Sequence, residues 1–141
     1  MQTFLPYPDF YATAKCLDLR RLGKQRIEGK QIIETLLGIS SGWKHHPAVK
    51  MWQRHVGGLA AYTIIICDEW IGKGYKDTQK KIILSLIDPD ENDLPDWIGL
   101  EKFHASHRAA LLAKKLEWYS QFNWMEEPKI EYFWPRIYDA S

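Results

Sequence analysis

Residues 19–37 read Leu19-Arg20-Arg21-Leu22-Gly23-Lys24-Gln25-Arg26-Ile27-Glu28-Gly29-Lys30-Gln31-Ile32-Ile33-Glu34-Thr35-Leu36-Leu37, and Gly38 follows. At about 100° per residue, Leu22, Gly29, Ile33 and Leu36 fall on one side, the apolar stripe of an amphipathic helix. Gly38 stands where a C′ glycine closes such a helix. Arg21, Lys24, Gln25, Glu28 and Gln31 share a neighbouring side, which gathers two cations, two amides and one carboxylate within about two turns. Arg26 points nearer the core side, where its charge needs a partner. One reading of this face is a solvated surface with a Lys24–Glu28 ion pair worth about 0.3–0.5 kcal/mol. The other is a site, with cations for phosphates and a carboxylate for proton transfer or for stabilising positive charge. The wheel alone leaves both open.

Outward from this segment the pattern stays helical. Asp9 is placed to N-cap a short helix through Leu17. Pro47 suits the first residue of a helix continuing to His55. Gly57-Gly58 interrupts the chain before an apolar helix from Leu59 to Ile71, closed by Gly72 and Gly74. Lys76 to Leu86 is amphipathic, with Ile82, Ile83 and Leu86 as its apolar side. The acidic run over 88–96 reads as a solvated turn; a calcium loop would carry Gly and Glu where Asp93 and Gly99 stand. A last helix is expected from about Glu101 or Ser106 to Phe122, and residues 123–141 read as an irregular aromatic tail packed on the body. Strand signals are weak. The expected fold is all-α: one compact helical bundle over 1–141 with an irregular aromatic C-terminal tail.

Composition narrows the function classes. The chain has 141 residues, 45% hydrophobic and 26% charged, values of an ordinary globular domain, which excludes disordered and fibrous classes. The longest uncharged apolar stretch, Val56 to Cys67, falls short of the roughly 20 residues of a spanning helix, so no membrane association is expected. Met1-Gln2-Thr3-Phe4-Leu5-Pro6 lacks the basic start of a signal peptide. Cys16 and Cys67 have no metal-type spacing and read as reduced core thiols of a cytosolic protein. Net charge is only +1, yet residues 1–60 hold nine Lys/Arg against four Asp/Glu, and residues 61–141 hold ten against fourteen. Such a split allows a basic face on a nearly neutral molecule.

A second dense segment is Gly42-Trp43-Lys44-His45-His46-Pro47-Ala48-Val49-Lys50-Met51-Trp52. With Arg54 and His55 it is basic and free of acids. Cations interleaved with aromatics suit a surface that holds a phosphate backbone and stacks bases. Adjacent histidines seldom chelate one ion, and His104 and His107, an isolated i,i+3 pair, read as surface or capping residues. No metal and no cofactor is expected.

Three segments together carry a resemblance: Leu17-Asp18-Leu19-Arg20-Arg21-Leu22, Arg26-Ile27-Glu28, and Gly42-Trp43-Lys44-His45-His46-Pro47. With the tail Tyr132-Phe133-Trp134-Pro135-Arg136-Ile137-Tyr138, they resemble the pyrimidine-dimer DNA glycosylase (phage endonuclease V-like) family, most closely over 17–52. The resemblance implies a small all-α enzyme in which the chain's own α-amino group attacks C1′ of the sugar. A Schiff base forms, and β-elimination breaks the backbone. It assigns the amine to Met1 and the assisting carboxylate to Glu28. It gives Arg21 and Arg26 to phosphates or sugar, His46 to support of the site, and Tyr132, Trp134 and Arg136 to DNA contact. Lys24, Gln31 and Lys44 join them as DNA-binding candidates. An α-amine titrates near 7.7–8.0 and a lysine near 10.4, so an α-amine has a useful neutral, nucleophilic fraction at about pH 7. The chain departs from the family pattern at Ile27, where the family has an arginine beside the glutamate, and at Gln2, whose size favours retention of Met1. The implied partner is DNA with a damaged or modified base. The implied setting is a monomer in the cytoplasm, associated with the nucleoid, of a bacterial or phage-type protein. A non-catalytic nucleic-acid- or nucleotide-binding module, or a helical interaction protein without a nucleic-acid role, stands beside this reading.

Overall fold

The computed structural model describes residues 1–135 and contains seven α-helices and one 3-10 turn. The helices are α1 (Phe10–Cys16), α2 (Leu19–Leu36), α3 (Pro47–Lys50), α4 (Val56–Gly72), α5 (Gln79–Leu86), α6 (Glu101–Lys114) and α7 (Leu116–Tyr119). The all-α expectation holds: there is no strand among the described residues. None of these helices is long and apolar enough to cross a membrane. Both cysteines are buried and free, and burial pushes the Cys16 thiol up to about 12.

The core is built on α2 against α4. On α2, Leu22, Gln25, Gly29, Ile32 and Ile33 are buried, so the stripe includes a glutamine assigned by periodicity to the polar side. Gln25 lies three residues, or about 60° on the wheel, from Leu22, close enough to the apolar arc to be enclosed when α4 covers it. Gly29 lets that happen: a Cβ there would lie 2.3 Å from Thr63 Oγ1. Gly23 similarly abuts the Trp70 ring, 3.0 Å from where its Cβ would stand.

Several boundaries differ from expectation for identifiable reasons. Asp9 caps α1 as expected, accepting from Tyr11 N–H at 2.9 Å. α3 stops at Lys50 and continues in i→i+3 turns to His55. α4 begins at Val56, so Gly57 and Gly58 lie inside it. The acidic loop explains this: it is docked on the helix start, and a Cβ on Gly58 would sit 1.9 Å from Asp93 O. Asp93 accepts from Gly58 N–H at 3.3 Å and pairs with His55 Nδ1 at 2.8 Å. A carboxylate at a helix N-terminus is favoured by the unpaired N–H groups there, so the loop is structural and not merely solvated. α5 begins at Gln79 because the Asp77 carboxylate takes the Gln79 and Lys80 N–H groups. The single terminal helix is broken at Lys115 (φ −153°, ψ 72°) with no glycine or proline there. The break turns Trp118 and Tyr119 toward the α1–α2 junction, where they bond Cys16 O and Asp18.

The N-terminal segment is the unusual element. Residues 2–6 are irregular and buried. Buried irregular backbone needs partners for its N–H and C=O groups. Side chains supply them: Gln25 to Phe4 N, Tyr62 to Phe4 O, and Arg108 to Pro6 O. His104 and His107, expected at the surface or as caps, are buried and clamp Leu5 from both sides. His107 Nδ1 accepts Leu5 N–H at 2.9 Å, and His104 donates from Nδ1 to Leu5 O at 2.7 Å. The aromatic tail then covers this segment, with Trp124 Nε1 donating to Tyr7 and the Tyr132 ring meeting Phe4 and His107 edge-on.

Candidate active site

The buried N-terminal segment ends at a cleft of about 400 Å³. The segment contributes Met1, Gln2 and Phe4 to its wall. α2 contributes Arg20, Arg21, Lys24, Gln25 and Glu28, α6 contributes Lys114, and the tail contributes Ile130 and Tyr132. The cleft thus brings the chain's first amine and one carboxylate together among four basic side chains.

Glu28 does not form the ion pair with Lys24 that a solvated face would carry. Among the described residues its bonded partner is Gln25, whose Nε2 donates to Glu28 Oε2 at 2.9 Å. Burial pushes the Glu28 carboxyl above the usual glutamate range. The N-terminal ammonium, then Lys24, the Gln25 bond and Lys114, pull in the opposite direction. Met1 and Glu28 thus share one partly desolvated cleft, where opposite charges act on each other more strongly than in open water.

The cations are held in different ways. Arg21 Nη1 lies 3.2 Å from Asp18 Oδ2, and the buried Asp18 also accepts the Tyr119 hydroxyl. Asp18 therefore does not cap α2 with its side chain; it pairs with Arg21, which lines the cleft. Burial, then Arg21 and Lys24, hold the Lys114 ammonium below the usual lysine range. Like charges crowded in this way favour an anionic ligand that separates them. Tyr132 faces the same space, and burial pushes its phenol up to about 12, which keeps it a neutral donor.

Other sequence-selected residues lie outside the cleft. Arg26, placed by resemblance among the DNA contacts, turns to the far side of α2. Its guanidinium pairs with Asp77 at 2.5 Å and sits 4.3 Å from the Trp70 ring centroid. This is the partner that a cation near the core side requires. Gln31 and Lys44 are exposed and do not line the cleft. His46 caps α3, its Nδ1 accepting Ala48 N–H at 3.0 Å. Burial and then the N-terminal ammonium hold its imidazole below the usual histidine range, so His46 stands near the amine as a neutral ring. Trp43 and Trp134 both meet His46 edge-on. Arg136 lies outside the described residues. No group of three His, Cys, Asp or Glu that could hold a metal ion occurs among the described residues.

Arg20 and Lys114 were not singled out from sequence, and Gln25 was placed on the candidate face without a role of its own. Arg20 sits in a quoted motif, and its neighbour drew the attention. Lys114 is brought in from 86 residues beyond Glu28, which no local pattern signals.

A family model described as pyrimidine dimer DNA glycosylase matches residues 1–83. The chain belongs to that family. No curated protein and no solved structure matches it. The matched range of this pyrimidine dimer DNA glycosylase family member includes the N-terminal segment and α2 with Glu28, which supply Met1, Gln2, Phe4, Arg20, Arg21, Lys24, Gln25 and Glu28 to the cleft, and also the His46 loop and α4, which do not line it. Lys114, Ile130 and Tyr132 complete the cleft from beyond the matched range. The family supports a pyrimidine dimer DNA glycosylase function with DNA as substrate.

Proposed function

We propose that the chain is a DNA N-glycosylase with associated AP-lyase activity, acting through the α-amine of Met1 with the assistance of Glu28. One observation carries the reading: Met1 and Glu28 line one cleft together with Arg20, Arg21, Lys24 and Lys114. In the proposed reaction the neutral amine forms a bond to C1′ as the glycosidic bond breaks, and the base leaves with a proton. The C1′–O4′ bond then breaks, O4′ takes a proton from water, and a protonated Schiff base forms. Glu28, an anion beside that cation, stabilises it and accepts a proton during rearrangement. Removal of a C2′ proton then breaks the C3′–O bond, and water releases the amine. Arg20, Arg21, Lys24 and Lys114 hold the phosphates on either side of the lesion. Tyr132, and His46 with Trp134 behind it, support the extruded nucleotide.

Borohydride reduction during reaction with a duplex containing one pyrimidine dimer tests this. A covalent protein–DNA adduct is expected, lost when the α-amine is blocked, and peptide mapping places it on residue 1. Binding of such DNA with no adduct and no base release would support a non-catalytic binding module instead.

A further inference from the structure

Gln25 is almost fully buried, yet all of its amide hydrogen-bonding capacity is used within the site. Oε1 accepts Phe4 N–H at 2.8 Å and lies 2.8 Å from the Tyr62 hydroxyl, whose one proton also serves Phe4 O at 2.7 Å. Nε2 donates to Gln2 O at 2.8 Å and to Glu28 Oε2 at 2.9 Å. The orientation of this amide is dictated by its neighbours. Phe4 N–H can only donate, so the oxygen must face it, and the nitrogen must then face Gln2 O and Glu28. A flipped amide would set donor against donor at Phe4 and oxygen against oxygen at Gln2. The amide edge offered to Glu28 is therefore always a donor, and Glu28 Oε2 always an acceptor. Through the same nitrogen, the Gln2–Thr3 peptide, next along the chain from Met1, is tied to the carboxylate.

We propose that Gln25 is a positioning residue: its amide sets the placement of the N-terminal amine relative to Glu28 and keeps the facing Glu28 oxygen in its unprotonated, accepting form. The inference rests on the reading of the cleft as an amine–carboxylate site. Glu28 is also faced by the N-terminal ammonium, by Lys24 from α2, Lys114 from α6, Tyr62 from α4 and Tyr132 from the tail. The contribution of Gln25 is therefore measured against these unchanged neighbours.

The informative variant is Gln25→Glu, which keeps an acceptor for Phe4 N–H and Tyr62 and replaces the donor edge facing Gln2 O and Glu28 with a carboxyl oxygen. NMR titration of the side-chain carboxyl carbons follows Glu28 without reference to activity. The expected result is a rise of at least one pH unit in the Glu28 midpoint, because the donor is replaced by a second carboxyl. On dimer-containing duplex, kcat should fall at least tenfold with KM within about twofold, and the acid limb of the kcat profile should move up. Tyr62→Phe is the control. It removes a hydroxyl on the oxygen side of the amide, and should lower the melting temperature while leaving the Glu28 midpoint in place. In the unaltered chain, the Gln25 side-chain N–H resonances should titrate with the Glu28 midpoint and lose that dependence in Glu28→Gln. A Gln25 amide signal indifferent to Glu28, or a Glu28 midpoint unmoved in Gln25→Glu, would overturn the proposal. Absence of base release by the unaltered chain would overturn the proposed function alone, since both NMR readouts would still stand.

Discussion

His107 Nδ1 accepts the backbone N–H of Leu5 at 2.9 Å, across 102 positions of sequence. The bond requires a neutral ring, and burial holds the His107 imidazole down to about 3. His104, on the other side of Leu5, is likewise lowered, chiefly by burial. Two neutral histidines thus fix the segment that delivers the N-terminal amine to the cleft.

Stability should fall on mild acidification. An unfolded histidine takes up its proton below about pH 6.5, while folded His107 does not until about 3. Between these values the unfolded state binds more protons, so stability is full above pH 6.5 and declines as pH drops. The slope is at most about 1.4 kcal/mol per pH unit for each histidine. Denaturant unfolding at pH 7.5, 6.0 and 5.2, above most carboxylate titration, measures it. A flat profile over that range would contradict the clamp.

Glu28→Gln should reduce single-turnover base release by about 10²–10⁴-fold. Affinity for dimer-containing DNA should change little, because the cations are untouched. Gel-shift and single-turnover assays on one preparation separate the two effects.

Asp77→Ala should destabilise the fold by about 3–5 kcal/mol, since it strands the largely buried Arg26 charge and removes the N–H acceptor at the start of α5. Activity measured below the new melting temperature should be nearly normal, because neither residue lines the cleft. A large loss of DNA affinity with unchanged stability would return Arg26 to the DNA contacts.

Gly29→Ala forces a methyl into Thr63 and should cost about 1–3 kcal/mol by overpacking α2 against α4. Adding Thr63→Ala removes the two nearest atoms and should recover part of the loss. Thermal melts of the single and double variants give the coupling directly.

Lys24→Ala and Lys114→Ala should each weaken DNA binding and flatten the log–log salt dependence by about 0.7–0.9, the signature of one lost phosphate contact. Gln31→Ala, outside the cleft, should leave the slope unchanged. Titrations at several salt concentrations distinguish the three.

The residues of α2 specified their own helix. Leu22, Gly29 and Ile33 repeat at the helical period, and Glu28 falls on the face beside them, so the carboxylate that lines the cleft was legible in the chain order. Asp9 and Pro47 fixed the starts of α1 and α3 through backbone preferences that act within a few residues. The site's completion was not local. The burial of residues 2–6, the clamp of His104 and His107, the capture of Arg26 by Asp77 and the arrival of Lys114 beside Glu28 join positions from 21 to 102 residues apart. Gln25 shows the limit most clearly. Its place on the wheel is near the boundary of the apolar arc, and only the packing of α4 and the N-terminal segment over it made it a buried amide with every donor and acceptor engaged. Periodicity reports which way a side chain faces, whereas its partner is chosen by the demand that each buried polar group be paired, and that demand is met only in the folded chain.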